Sequence, residues 1–296
     1  MKRLCGFLTL AAGIAAALSL FTMPIEAQPK PTGYVDRLYV LDGGLGRSND
    51  AGSWMNEMVP PNTPIDIAAF SHLIKHGDTW MMFDTSTNDA YAKIPEGWGT
   101  GIKWMKTEKQ TLTPQLKAIG ITPDNISLIG ISHNHPDHTG NVELFKKAQV
   151  LIQKREYDFM FKNGAGPTGP PTFEGPVMLK DHPHKLLQGD YDVFGDGSVI
   201  LFYTAGHTLG SQVALVRLRN TGYVLLSGDA VHLRSNFDTR RIPRVGNANE
   251  ENEWLWSVPL AFARIEKLLS TYKAQLWVHH DFEDYKGRKL APLYYE

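Results

Sequence analysis

Apolar residues in this chain gather into short runs that end on glycine, histidine or aspartate, and the spacing within each run predicts its element. Arg37 to Leu41 alternates as a strand and leads into Asp42-Gly43-Gly44-Leu45-Gly46, which reads as a glycine turn. Ala69 to Lys75 and Thr79 to Phe83 predict a hairpin around His76-Gly77-Asp78. Thr111 to Ile119 suits a helix, with Pro114 in its first turn and Gly120 closing it, and Pro123-Asp124 leads into a buried strand over Ile126 to Ile131. A short helix is expected over Asn141 to Lys147, a strand over Val150 to Ile152 and a helix over Lys154 to Phe161. Farther on, Val199 to Thr204 is a strand, and Gln212 to Leu218 with Tyr223 to Leu226 forms a hairpin around Asn220-Thr221-Gly222. Trp254 to Leu269 has apolar residues at helical spacing, and Leu276 to Val278 is a last strand. Strands in pairs followed by strand alternating with helix predict a layered α/β domain.

Two segments stand outside that pattern. Residues 163–176 hold four glycines and four prolines and read as a surface loop or active-site flap. At the other end, Lys2 and Arg3 precede an apolar run from Leu4 to Phe21, then Pro24 and the small residue Ala27. That order reads as a secretory signal peptide over residues 1–27, with an uncleaved membrane anchor as the competing reading. Cleavage after Ala27 would leave a single domain over residues 28–296, in the periplasm or outside the cell, with no stable membrane insertion. Cys5, the only cysteine, lies inside the leader, so the mature chain offers neither disulfide nor thiolate chemistry. With 30 basic and 31 acidic residues interspersed, the chain has no electrostatic footprint for nucleic acid, and a small uncharged or weakly charged substrate fits better. Loops rich in Trp and Met leave room for a homodimer.

The candidate chemistry lies just beyond the apolar runs. Ser132-His133-Asn134-His135-Pro136-Asp137-His138-Thr139-Gly140 follows the strand Ile126 to Ile131 and places three imidazoles and a carboxylate within six positions. Imidazole and carboxylate are the ligands of a borderline divalent metal, and residues two apart at a strand end point the same way, so His133 and His135 can grip one ion. Asp137 and His138 fall on the turn beyond Pro136, where they can be aimed at a second ion. Other strands end on His207 in Gly-His-Thr, Asp229 in Gly-Asp-Ala, and His279-His280-Asp281. Asp84, after Phe83, either orients a metal ligand or caps the next turn. His182 and His184 lack a carboxylate companion and read as surface histidines. Trp54, Met55 and Met58 precede a proline pair and can line a pocket or simply pack.

With His133, His135, Asp137, His138, His207, Asp229 and His280 in this order, the chain resembles the metallo-β-lactamase superfamily of hydrolases over essentially its whole mature length. The resemblance implies an αββα sandwich, two facing β-sheets with helices outside, and two divalent metal ions at the sheet edge. One ion would be held by His133, His135 and His207, the other by Asp137, His138 and His280, with Asp229 bridging. A bridging Asp is similar to the glyoxalase II, N-acyl-homoserine lactonase and phosphotriesterase-like branches. Residues Gln110 to Gly120, the basic stretch Arg234, Arg240, Arg241 and Arg244, and the closing His280-Asp281 look most like the acyl-homoserine lactonase family. Where lactonases of that family often carry Tyr, three positions after the bridging Asp, this chain has His232, which would replace it as a donor to the substrate carbonyl.

That resemblance implies opening of a lactone ring, most characteristically of an N-acyl-homoserine lactone in quorum quenching. Two ions roughly 3.5 to 4 Å apart can share a bridging water, supply hydroxide near neutral pH and polarise the carbonyl. Asp229 would pass the water's proton to the leaving group, with Asp137 and His232 also in the catalytic set. Zinc is the default, and the mixed ligand set also accepts iron, manganese or cobalt. Met55, Met58, Trp98, Trp104 and Phe237 are candidates for an apolar groove. A β-lactamase, phosphotriesterase or arylesterase built on the same site, and a secreted metal-binding protein without catalysis, are the alternatives.

Overall fold

The computed structural model describes residues 31–55, 59–60, 62–161, 179–180, 182–243 and 254–296. The expected leader and flap, together with Met58 and Arg244, lie outside the described residues. A seven-stranded sheet is ordered β4-β1-β2-β3-β5-β6-β7, from β1 (Arg37–Ser48), β2 (Ile65–His76), β3 (Thr79–Phe83), β4 (Ile102–Met105), β5 (Ile126–Gly130), β6 (Gln149–Gln153) and β7 (His184–Leu187). The second sheet has five strands, ordered β12-β11-β10-β9-β8, from β8 (Tyr191–Asp192), β9 (Val199–Tyr203), β10 (Gln212–Leu218), β11 (Gly222–Leu226) and β12 (Gln275–Trp277). The helices that matter below are α1 (Ala51–Met55), α2 (Leu112–Ile119), α3 (Pro136–Thr139), α4 (Lys154–Met160), α5 (Arg234–Thr239), α6 (Trp254–Tyr272) and α7 (Phe282–Lys286). Among the described residues no helix is long and apolar enough to cross a membrane.

The apolar runs are continuous because the strands are covered on both faces. In β9, Val199 and Leu201 point between the sheets and pack with Phe70, Phe83, Ala214, Val216 and Leu226. Ile200 and Phe202 point the other way, against Phe262, Ile265 and Leu268 of α6. The larger sheet repeats the arrangement, with Leu41, Leu73, Ile129 and Val150 packed against Leu112 and Leu116 of α2. Helix, sheet, sheet and helix in that order are the αββα sandwich that the resemblance implied. Leu201 is fully buried at the centre of the inter-sheet layer. Leu201→Ala is therefore expected to cost about 2–5 kcal/mol, read as a lowered urea midpoint with unchanged slope.

Two local expectations fail for physical reasons. The chain does not turn at Asp42-Gly43-Gly44; β1 continues to Ser48, with its register against β2 shifting between Asp42 and Leu45. Gly44 absorbs the extra residue as a bulge, in a left-handed conformation (φ 97°) where a Cβ would meet Met105 O at 2.4 Å. Over Asn141 to Lys147 only a single 3-10 turn, Val142–Leu144, forms. The Asn141 side chain there donates to the carbonyls of Thr85 and Thr87, each at 2.7 Å, and accepts from the Asp89 amide. Those bonds to the loop after β3 hold the segment in a turn.

Parallel pairing sets where the chemistry falls. β3, β5 and β6 are parallel neighbours, as are β11 and β12, and β9 runs the same way as β11 because both are antiparallel to β10. Their C-terminal ends therefore emerge on shared edges, and the polar residues that follow are brought together by topology.

Candidate metal centre

β5 ends at Gly130, and the next residues carry His133 and His135 before Pro136 opens α3. Proline at that first helical position tolerates the missing N–H, and His135 is the capping residue. One turn then delivers Asp137 and His138, both buried. His207 follows β9, Asp229 sits in the 3-10 turn Gly228–Ala230 after β11, and His280 follows β12. The structure brings all seven together.

They form two groups that share Asp229. His133, His135, His207 and Asp229 have potential ligand atoms within 4.8 Å of one another, as do Asp137, His138, Asp229 and His280. His207 Nε2 lies 3.1 Å from His133 Nε2 and 2.9 Å from His135 Nδ1. Tetrahedral zinc with Zn–N bonds of about 2.0–2.1 Å sets ligand atoms roughly 3.3 Å apart, so this spacing is close to that of a coordination shell. Asp229 reaches both groups: Oδ2 is 3.5 Å from His207 Nε2 and 3.2 Å from His280 Nε2, while Oδ1 is 3.0 Å from His138 Nε2 and 3.1 Å from His280 Nε2. His138 Nε2 and Asp229 Oδ1 are buried and, although 3.0 Å apart, neither has a well-directed hydrogen-bond partner. Buried polar atoms are rarely left so, and a cation between them would satisfy both. The donor set fits two divalent ions.

The supporting bonds aim these ligands. Asp84 Oδ2 accepts from His138 Nδ1 at 2.8 Å and Asp84 Oδ1 from the Ser132 amide at 2.7 Å, which leaves His138 Nε2 facing the site. Of the two roles open to Asp84, orienting a ligand is the one observed, and both bonds hold it in a left-handed backbone conformation (φ 59°). His280 Nδ1 donates to Ala68 O at 2.8 Å, again leaving Nε2 free to face inward. Ser132 Oγ lies 3.1 Å from His133 Nδ1 and 3.2 Å from His138 Nδ1.

Electrostatics divide the two groups. Burial, aided by neighbouring imidazoles, holds His133 and His207 well below the usual histidine range, and burial lowers His135 as well. Burial also disfavours the charged form of His138 and His280, but the carboxylates outweigh it. Asp229, Asp137 and Asp84 hold His138 well above its ordinary value, and Asp229 and Asp137 push His280 up to about 10. Burial opposes ionisation of Asp137 and Asp229 too, yet the facing imidazoles hold both well below the usual carboxylate range. Near pH 7 the first group is thus neutral imidazole, whereas the second carries protons on His138 and His280. A metal must displace those protons, so loading the Asp137-side pocket is expected to release about two protons per ion and the three-imidazole pocket almost none. Calorimetric titrations in buffers of different ionisation enthalpy measure this directly; equal release at both steps would contradict it.

Several other expectations are corrected. His182 is not a surface residue: it is buried, with Nδ1 3.1 Å from Ala148 O, while His184 is exposed and stacks on Tyr157. Neither is part of the two groups. Phe237 belongs to the core under α6, in edge contact with Phe262, and does not line a groove. Trp54 and Trp104 do reach the site, with ring centroids 5.8 and 5.9 Å from His280, and Met55 packs beside them. Trp98 is exposed and pairs through its backbone with Trp104. Of the basic stretch, Arg234 pairs with Asp284 and Arg240 with Glu266, and the Asp281 carboxylate accepts from the Arg234 amide. His232 stands at the site, with Nε2 3.5 Å from Asp229 Oδ2 and its ring 5.6 Å from Trp54. His279 is the neighbour that sequence alone does not place: its buried ring lies 4.3 Å from that of His138. Successive residues at a strand end point to opposite sides, and the sequence has no signal for which of His279 and His280 faces the ligands.

A family model described as the metallo-beta-lactamase superfamily matches residues 65–280. An N-acyl homoserine lactonase, AttM, from Azorhizobium caulinodans is 29% identical over 274 residues, covering 88% of this chain and 98% of the relative. An N-acyl homoserine lactonase from Bacillus cereus is 26% identical over 268 residues, covering 88% and 99%. Among solved structures, an N-acyl homoserine lactone hydrolase with the product N-hexanoyl-L-homoserine bound at its catalytic metal centre superposes with a TM-score of 0.73 at 24% identity. That match covers 88% of this chain and 100% of the other. A dizinc quorum-quenching lactonase, AidC, gives 0.57 at 17% identity, covering 90% and 95%. At these identities the structures show that the fold is shared.

Proposed function

The chain belongs to the metallo-β-lactamase superfamily, and we propose that it opens the ring of N-acyl-homoserine lactones with two divalent ions, zinc in the first instance. The observation that carries this reading is Asp229, whose carboxylate belongs to both groups, with Oδ2 3.5 Å from His207 Nε2 and Oδ1 3.0 Å from His138 Nε2. A carboxylate so placed links two ions, and relatives that match along 88% of the chain are lactonases. His133, His135 and His207 would hold one ion, and Asp137, His138 and His280 the other.

Ions bound there would lower the pKa of a water and polarise the lactone carbonyl. The chain's residues do the rest. Asp229 accepts the proton of the attacking water and passes it to the ring oxygen as the ester C–O bond breaks, giving the hydroxy acid. His232, which burial takes down to about 4, is neutral near pH 7 and offers its imidazole N–H to the substrate carbonyl. Trp54, Trp104 and Met55 form an apolar wall beside His280 that excludes water and receives the acyl chain. The leader-like pattern over residues 1–27 supports a periplasmic or extracellular setting for this activity.

Initial rates with acyl-homoserine lactones, a cephalosporin and a phosphotriester, taken on one sample of known metal content, test the reading. Fastest turnover of the acyl-homoserine lactones is expected. Preference for the cephalosporin or the phosphotriester would overturn the substrate assignment, and no turnover of any would leave a binding protein.

A further inference from the structure

Glu156 lies in the first turn of α4 and is completely buried, with 0% of its surface exposed. Its Oε1 accepts from the amide of Asn134 at 2.8 Å, and its Oε2 from Thr208 Oγ1 at 2.8 Å and the amide of Gly210 at 2.9 Å. Asn134 stands between His133 and His135, and Thr208 follows His207. One carboxylate therefore fastens both of the loops that carry the three imidazoles. The approach is close: a Cβ on Gly210 would lie 2.4 Å from Glu156 N and from Glu156 Cβ, so only glycine admits it.

Nothing about the fold alone asks for a charge here. All three donors are neutral, and the adjacent cations are engaged elsewhere, Lys154 with Asp158 and Arg155 with the Tyr203 hydroxyl. A buried carboxylate is costly when it faces no cation. Three donors converging from two loops do require it, however, because a glutamine would turn its NH2 against an N–H and lose at least one of the bonds. A backbone bond from Gln212 to Ser132 O, 2.9 Å, also joins the loops, but at residues flanking the imidazole positions. Glu156 acts between and beside the ligands themselves.

We propose that Glu156 is a positioning residue for the three-imidazole pocket, fixing His133 and His135 relative to His207 and so setting that pocket's affinity for its ion independently of the Asp137-side pocket. The inference rests on the two-cation reading above. Groups that orient metal ligands typically contribute about 10- to 100-fold to metal affinity.

Competition between the full chain and a chromophoric chelator for zinc gives two stepwise affinities, assigned to pockets with His207→Ala and His280→Ala. Glu156→Gln is expected to weaken the three-imidazole step by about 10- to 100-fold and to leave the other within about threefold. Thr208→Val removes one of the three donors and should weaken the same step by a smaller factor, which keeps the test open if Glu156→Gln does not fold. Melting of the metal-free variants is measured alongside. Variants that lower the melting temperature but leave the three-imidazole affinity unchanged, or weaken both steps equally, would overturn the positioning role. A wild-type chain that does not take up two zinc ions would instead overturn the two-cation reading, and this inference with it.

Discussion

Replacing Asp229 by alanine is expected to lower lactone turnover by about 10³-fold or more and to leave the protein short of two ions per chain. Among the described residues Asp229 is the side chain common to both groups, so its loss removes a ligand from each pocket and the proton carrier between them. The metal-free protein should register the change as well. In the folded chain Asp229 is among the groups that raise His280 to about 10 from 6.5. A histidine raised in this way stabilises the fold fully below its unfolded pKa and progressively less as pH rises through its folded value. The stability gap between wild type and Asp229→Ala should therefore be widest below 6.5 and narrow toward about 10. Metal analysis, turnover and a melting series across pH, made on the same preparations, check all three. Two ions and near-normal turnover in Asp229→Ala would remove the bridge from the account.

Stripping the metal is expected to have an effect of comparable size. The site holds six buried or half-buried imidazoles and two carboxylates, counting His232, within a few ångströms. Without cations it relies on two imidazolium protons to balance that charge. Exhaustive chelation should abolish ring opening, and zinc or another divalent ion should restore it. Binding to the folded state alone also stabilises: at free metal a thousandfold above the dissociation constant, each ion contributes about 4 kcal/mol, or about 10 °C in Tm for a chain of this size. Turnover that survives chelation would exclude a metal-dependent mechanism.

The strands of the core were legible because burial on both faces writes itself as an unbroken apolar run, as in Val199 to Tyr203. The ligands were legible for a related reason: each follows such a run, and parallel pairing gathers those ends. Of the four edge strands, β4, β7 and β8 carry no comparable run, since one neighbour and local backbone pairing suffice to form them, whereas β12 is marked by Leu276 to Val278. Asp42-Gly43-Gly44 reads as a turn because glycine serves bulges and turns alike, and only the register with β2 tells them apart. Glu156 was invisible for another reason. Its partners stand 22, 52 and 54 residues away, and two of the three are backbone amides, which leave no trace in side-chain identity. The sequence likewise carries no sign that the Phe237 ring belongs under α6 while Trp54 reaches His280, because both are large apolar residues near a turn.

If two pockets sharing Asp229 form one hydrolytic site, both must be loaded before the ring opens. The most direct measurement is the rate of opening of N-hexanoyl-homoserine lactone as metal-free protein is titrated with zinc, with the bound ions per chain determined at every point. Negligible opening is expected at one ion per chain, and full rate as the second ion loads. Full rate at one ion, or opening independent of zinc, would contradict the shared site.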